Sequence, residues 1–193
     1  SVHLAPRKAD VLRLPVSGKS RIIRLVPKEL LTRLDEEEVP SENGCFKPGN
    51  GLLKLAVFER HHASGRVGLG ILRGFTLSRG AIASTVGHDS HNLIVAGDND
   101  QDMEKAVDAL EGCGGGYVAV GSGRVLAKLP LPVAGLMSDA PLETILSAQR
   151  SLLAAAKSLG LSAGSDPFIR LSFIALPVIP SIRLTDMGMF DVD

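Results

Sequence analysis

Five consecutive residues, His88-Asp89-Ser90-His91-Asn92, bring together two imidazoles, a carboxylate, a hydroxyl and a carboxamide. An imidazole titrates near neutrality and passes protons, a neighbouring carboxylate can orient it, and hydroxyl and amide groups can hold a polar ligand. No other stretch of the chain is so dense in such groups. Its flanks are of another kind. Ala81 to Gly87 runs in and Leu93 to Gly97 runs out, both short and mostly apolar, and both read as buried strands. A polar knot between two such strands lies at a sheet edge or in a cleft, where its unpaired groups need water, a ligand or one another. The plainer alternative is a solvated turn in which Asp89 and Asn92 bond the local backbone.

Other chemistry in the chain is sparser. Adjacent His61 and His62 would point to opposite faces of a strand, which disfavours a two-histidine metal site; Glu59 and His61 would share a face and could form an ion pair toward the knot, with Arg60 on the other side. Gly68-x-Gly70-x-x-x-Gly74 misses the dinucleotide fingerprint and sits inside an expected hairpin. Gly18-Lys19-Ser20 lacks the upstream glycine of a phosphate loop, and Gly114-Gly115-Gly116 suits a helix end and tight connection. A serine nucleophile at Ser90 would need His88 or His91 to face it, which sequence neighbours rarely do, and no Gly-x-Ser-x-Gly elbow is present. Met187 and Met189 suit packing better than metal binding.

The elements that would carry the knot can be read from spacing. Leu52–Arg60 and Arg66–Phe75 form an expected hairpin around the loop from His61 to Gly65. Asp98, Asn99 or Asp100 would cap a helix with Met103, Ala106, Val107 and Leu110 on one face, ended by Gly112 or Gly114. A second hairpin is expected over Tyr117–Val120 and Val125–Leu129, and a longer helix runs from Pro141 to Gly160 with Leu142, Ile145, Leu146, Leu152, Leu153, Ala156 and Leu159 as its stripe. Phe168–Val178 reads as a last buried strand. Before residue 50 the texture differs: a strand at Arg21–Val26, a helical turn at Leu30–Leu34, a solvated acidic run Asp35–Glu38, then turn formers from Pro40 to Gly51. The expected organisation is a strand-rich connecting segment over 1–50 and one domain over 51–193. Hairpins outnumber strand–helix–strand crossovers, so the fold class is α+β, with a mixed, largely antiparallel sheet and two main helices.

Composition narrows the function classes. The 193 residues carry 21 basic and 21 acidic side chains, which gives no electrostatic case for nucleic acid or an anionic membrane. Charges and glycines break every apolar run before it reaches membrane-spanning length, and no signal peptide is visible. Cys45 and Cys113 have no metal-like spacing and suit reduced thiols in a cytoplasmic protein.

Several ordered motifs carry a resemblance. Val57 to His61, Val67 to Gly70, Gly74-Phe75, Arg79 to Ser84 and the knot are followed by Asp102-Met103, Gly114 to Gly116 and Leu131 to Ser138. Asp166 to Phe168, Leu171 to Phe173, Val178 to Pro180 and Thr185 to Gly188 complete the series. Together, over Leu52 to Val192, the chain resembles the carboxy-terminal region of the prokaryotic adenine deaminases of the amidohydrolase superfamily. The resemblance implies deamination of adenine to hypoxanthine and ammonia, with divalent iron or manganese held in a (β/α)₈ barrel that begins with a His-x-His pair. The five histidines, at 3, 61, 62, 88 and 91, form no such pair, and a barrel of that kind takes about 250 residues. The chain is therefore expected to be a carboxy-terminal piece of a larger enzyme, inactive by itself and binding no metal of its own. Its expected partners are the amino-terminal barrel domain, adenine and, in a homo-oligomer, further copies. Within that reading His88, Asp89 and His91 are candidate catalytic residues, and Ser84, Ser90, Asn92, Glu59, Arg60 and His61 are candidates for substrate binding. The alternative is a non-catalytic domain that packs against the barrel or another subunit.

Overall fold

A computed structural model describes residues 2–27, 29–161 and 166–192. The fully apolar runs at the middle of the chain become the centre of one large sheet. Strands β1 (Lys19–Leu25), β2 (Thr32–Glu38), the short pair β3 (Ser41–Glu42) and β4 (Cys45–Phe46), β5 (Leu52–Phe58), β6 (Val67–Arg73), β7 (Gly80–Ser84) and β8 (Leu93–Gly97) precede helix α1 (Asp100–Gly112). Then follow β9 (Gly116–Gly121), β10 (Arg124–Pro130), α2 (Leu142–Ser158), α3 (Pro167–Ile174) and a hairpin of β11 (Ile182–Thr185) and β12 (Gly188–Asp191). The main sheet has eight strands in the order β10-β9-β7-β8-β5-β6-β1-β2. Every neighbouring pair is antiparallel except β1 with β6. Among the described residues the sheet does not close into a barrel. The fold is α+β, as expected.

Both faces of the sheet are covered, so β5, β7 and β8 are buried at every position and show no alternation in sequence. On one face α1 packs Met103, Ala106, Val107 and Leu110 against Ala56, Phe58, Ala81, Ala83, Leu93 and Val95. Asn99 caps this helix, accepting from the Asp102 backbone N–H at 2.8 Å, while the Asp102 carboxylate accepts from Asn99 Nδ2 at 2.9 Å and from the Gly123 N–H at 2.7 Å. The segment of residues 2–12, which turns at 9–12, lies over the same face, with Arg7 paired to Asp108 and Glu111 of α1. The opposite face is covered by α2, α3 and the β11–β12 hairpin. Of the expected stripe of α2, Leu152, Ala156 and Leu159 are buried, whereas Leu142 and Leu153 stay exposed.

Three local expectations are corrected. Phe168–Val178 is not a strand: α3 occupies Pro167–Ile174, with Asp166 accepting from the Phe168 and Ile169 N–H groups at 2.8 and 3.3 Å and Pro167 at the first position. The chain thus has a short third helix besides the two main ones. Leu30–Leu34 is not helical, because β2 begins at Thr32 and pairs along its whole length with β1. The acidic run is part of that strand, where Asp35 and Glu37 pair with Arg24 and Arg73. The boundary expected near residue 50 falls in the turn before β5, and the sheet continues on both sides of it.

Candidate functional site

The knot is the connection from β7 to β8, and its backbone is held from within the protein. Ser84, fully buried at the end of β7, turns the chain through its hydroxyl, which accepts from the Val86 N–H at 2.9 Å and donates to the Val86 carbonyl. Thr85, also buried, donates to the Gly135 carbonyl and accepts from the Gly116 N–H, both at 2.7 Å. The His91 N–H reaches back to the Gly87 carbonyl at 2.6 Å, and His91 itself takes a left-handed backbone conformation with φ of 50°.

Arg60 is, with Arg183, the largest of the fully buried side chains among the described residues. Its Nε donates to the His91 carbonyl, and its Nη2 to the Ala134 carbonyl at 3.0 Å and the Thr85 carbonyl at 3.5 Å. One guanidinium thereby ties the knot, the end of β7 and the turn around Ala134 to one another. Gly135 permits this close approach, since a Cβ there would lie 2.8 Å from Arg60 Nη1.

The expectation for Glu59 is corrected. Strand β5 ends at Phe58, so Glu59 and His61 do not share a strand face, and they form no side-chain ion pair. Glu59 folds over its own loop instead. Its Oε1 accepts from the His61 and His62 N–H groups at 2.6 and 2.8 Å, and its Oε2 from the N–H and hydroxyl of Ser64 at 3.0 and 2.7 Å. Burial alone would raise its pKa, but these bonds to the ionised form outweigh it and hold the carboxyl well below the ordinary range. The loop so fixed places exposed His61 against the knot, with Nε2 at 2.7 Å from the Ser90 carbonyl.

Two further elements close on the knot. On α3, Phe173 stacks on His88 with ring centroids 4.7 Å apart, and the Ser172 carbonyl accepts from the His88 N–H at 3.1 Å. In the β11–β12 turn, Asp186 accepts from Asn92 Nδ2 at 3.1 Å and from Arg66 Nε at 2.7 Å. That turn can lie on β6 because residue 68 is glycine: a Cβ there would stand 1.8 Å from the Thr185 carbonyl oxygen. Sequence reading did not pick out Thr85, Phe173 or Asp186. Phe173 and Asp186 had a signal only as members of motifs that carry the resemblance, and Thr85 only as part of the run that leads into the knot.

The side chains of the knot divide into two groups. Asn92 is buried and anchored by Asp186, which fixes its amide orientation and leaves Oδ1 buried without a partner; His91 Nδ1 is likewise buried and unpartnered. Burial pushes the His91 pKa down, the charges of Arg60 and His88 act the same way, and Asp89 opposes them. His91 is thereby biased toward the neutral imidazole, a proton acceptor. The outward group is His88, half-buried, with exposed Asp89 and Ser90; neither the His88 ring nor Asp89 hydrogen-bonds another described residue. The His88 and His91 rings stand 6.3 Å apart. Among the described residues no three His, Cys, Asp or Glu side chains come together to hold a metal ion. No helix among the described residues is long and apolar enough to cross a membrane.

Comparison with known proteins gives a consistent answer. A family described as the adenine deaminase C-terminal domain matches residues 29–193. Proteins called adenine deaminase from Nitratidesulfovibrio vulgaris and Bacillus licheniformis are 52% and 45% identical to it, and adenine deaminase 2 of Carboxydothermus hydrogenoformans is 48% identical. Each alignment covers 100% of this chain but 34% of the relative, so the chain spans about a third of the length of these proteins.

Proposed function

Since the chain belongs to the adenine deaminase C-terminal domain family, we propose that it is the carboxy-terminal part of an enzyme converting adenine and water to hypoxanthine and ammonia. In this reading the knot lines the reaction centre of a preceding barrel domain, which holds the iron or manganese ion. One observation carries the reading: the knot is secured by its backbone, by Asn92 and by the Ser90 hydroxyl, which accepts from the Asn92 N–H at 3.4 Å, while the His88 ring nitrogens and the Asp89 carboxylate bond no other described residue. A knot that existed to satisfy buried groups would spend those side chains inward. Here they are not needed for that.

The roles follow from position. His91, biased toward its neutral form, accepts a proton, and His88 at the other side of the pair exchanges one with solvent or substrate; Asp89 favours the protonated form of His91. Ser90 and His61, exposed beside them, face the polar edge of the purine. Ser84, Glu59, Arg60 and Asn92 belong to the same site as the residues that hold it, since each is buried and bonded within the chain.

The test uses the full-length enzyme. His88→Asn, His91→Asn and Asp89→Asn are each expected to lower turnover of adenine with folding intact, the imidazole changes by about 10²–10⁴-fold, as loss of a proton-transferring group does. Ammonia release and thermal unfolding are measured side by side. Unchanged kinetics in all three variants, with a melting temperature lowered by the loss of about 1–3 kcal/mol, would leave the domain a structural cap and sink the proposal.

A further inference from the structure

We infer that the knot end of the domain is the seat of the part of the protein that precedes it in the longer relatives, and that an apolar rim around the knot makes the contact. This rests on the proposed reading of the chain as part of a longer deaminase. Three elements tied to the knot, two directly and one through Arg60, carry large apolar side chains in water. The turn anchored through Ala134 presents Val133, 43% exposed, and Met137, 60% exposed. The turn anchored through Asp186 presents Met187, 82% exposed. On α3, Ile169 is 54% exposed one turn before Phe173, the residue that stacks on His88. Scattered apolar residues on a surface need no explanation, but these stand on separate elements gathered at one polar centre. An apolar rim around groups that must work away from bulk water is the arrangement of a closed interface.

The chain's own path names the occupant. The His3 N–H donates to the Arg60 carbonyl at 2.8 Å, and Val2 packs into the cluster beneath α1. Arg60 is the residue that grips the knot. In relatives three times as long, of which this chain matches 34%, whatever precedes residue 2 enters beside the knot. A domain tethered there meets the rim at high effective concentration, so modest apolar contact suffices to hold it. The contact surface is then Val133, Met137, Ile169 and Met187 around His88 and Asp89.

Methionine oxidation reads this directly, because the rate at which peroxide forms sulfoxide follows exposure. In the full-length protein, oxidation of Met137, Met187 and Met103 is followed by mass spectrometry of peptides, with the guanidinium-unfolded protein as the fully reactive reference. Met103 is fully buried in the domain and serves as the protected standard. The expected result is that Met137 and Met187 react as slowly as Met103, on the order of tenfold or more below the unfolded rate, at every protein concentration. Reaction of either near the unfolded rate overturns the inference. Protection that disappears on dilution also overturns it, since a second copy would then be the occupant. Adenine turnover on the same sample separates the two ideas. Activity with unprotected methionines removes the docking surface alone, whereas protection without activity removes the deaminase reading and leaves the surface standing.

Discussion

Glu59 and Arg60, adjacent and both buried, hold the site in opposite ways: the carboxylate gathers N–H donors from one loop, and the guanidinium gathers carbonyls from three segments. Glu59 gives a test in pH. Its folded pKa lies below its ordinary value of 4.5, so its stabilisation is fully present above pH 4.5 and is lost as pH falls toward the depressed folded value. Glu59→Gln replaces one accepting oxygen by a donor facing Ser64. It is expected to cost about 1.5–3 kcal/mol at neutral pH, the range for a hydrogen bond to a charged group, and to flatten the acid limb of the stability curve. Denaturant unfolding of the full-length protein at a series of pH values checks both. A variant as acid-sensitive as the original would show that other carboxylates carry the acid limb. His91 adds a smaller slope of the same sign, since its depressed pKa makes stability fall as pH drops below the ordinary histidine range near 6.5.

At the scale of elements, the β11–β12 hairpin is the part whose position the site depends on and whose existence the sequence hid. Gly68→Ala would drive a methyl into the Thr185 carbonyl, so the hairpin must lift from β6 and take Asp186 away from Asn92 and Arg66. The expected cost is about 1–3 kcal/mol, typical of overpacking, with faster amide exchange confined to residues 182–191 and the knot. A uniform change in exchange across the sheet would show instead that β6 itself had been distorted.

The same hairpin shows where sequence reading stops. Apolar runs bounded by turn formers made β5 to β10 legible, and helical periodicity with end signals made α1 and α2 legible, because these signals are local. Phe168–Val178 reads as a strand because it is an apolar run, and the decisive sign against that, Asp166 before Pro167 as a helix start, entered only as part of a resemblance motif. The knot announced itself through five dense residues. What holds it did not: Arg60 lies 31 residues from His91, and Asp186 lies 94 from Asn92, so no local pattern could join them. Glu59 was picked out for the wrong contact, since three of the groups it accepts from are backbone N–H groups that almost any residue supplies.

For the whole molecule, the expectation concerns what this chain does apart from the rest. Its described residues bring no three metal-ligating side chains together, and the reaction proposed for the longer enzyme relies on a metal. The chain of 193 residues is therefore expected to release no ammonia from adenine, with manganese or ferrous iron added or without. Ammonia release by the purified chain, free of contaminating deaminase, would mean that the reaction centre lies within it.

The two rims of the eight-stranded sheet have a consequence for how copies of this protein can meet. An unpaired outer strand invites another chain to add to it, and growth of that kind ends in aggregates. Strand β2 forms one rim with Arg33, Asp35, Glu36, Glu37 and Glu38 in close succession, so an incoming copy of the same strand meets its own acidic charge. At the other rim β10 breaks register between Val125 and Ala127 and ends on Pro130, which has no N–H to offer. Neither rim is a good template. Copies of this protein that assemble must therefore join through side-chain faces rather than by extending one sheet into the next.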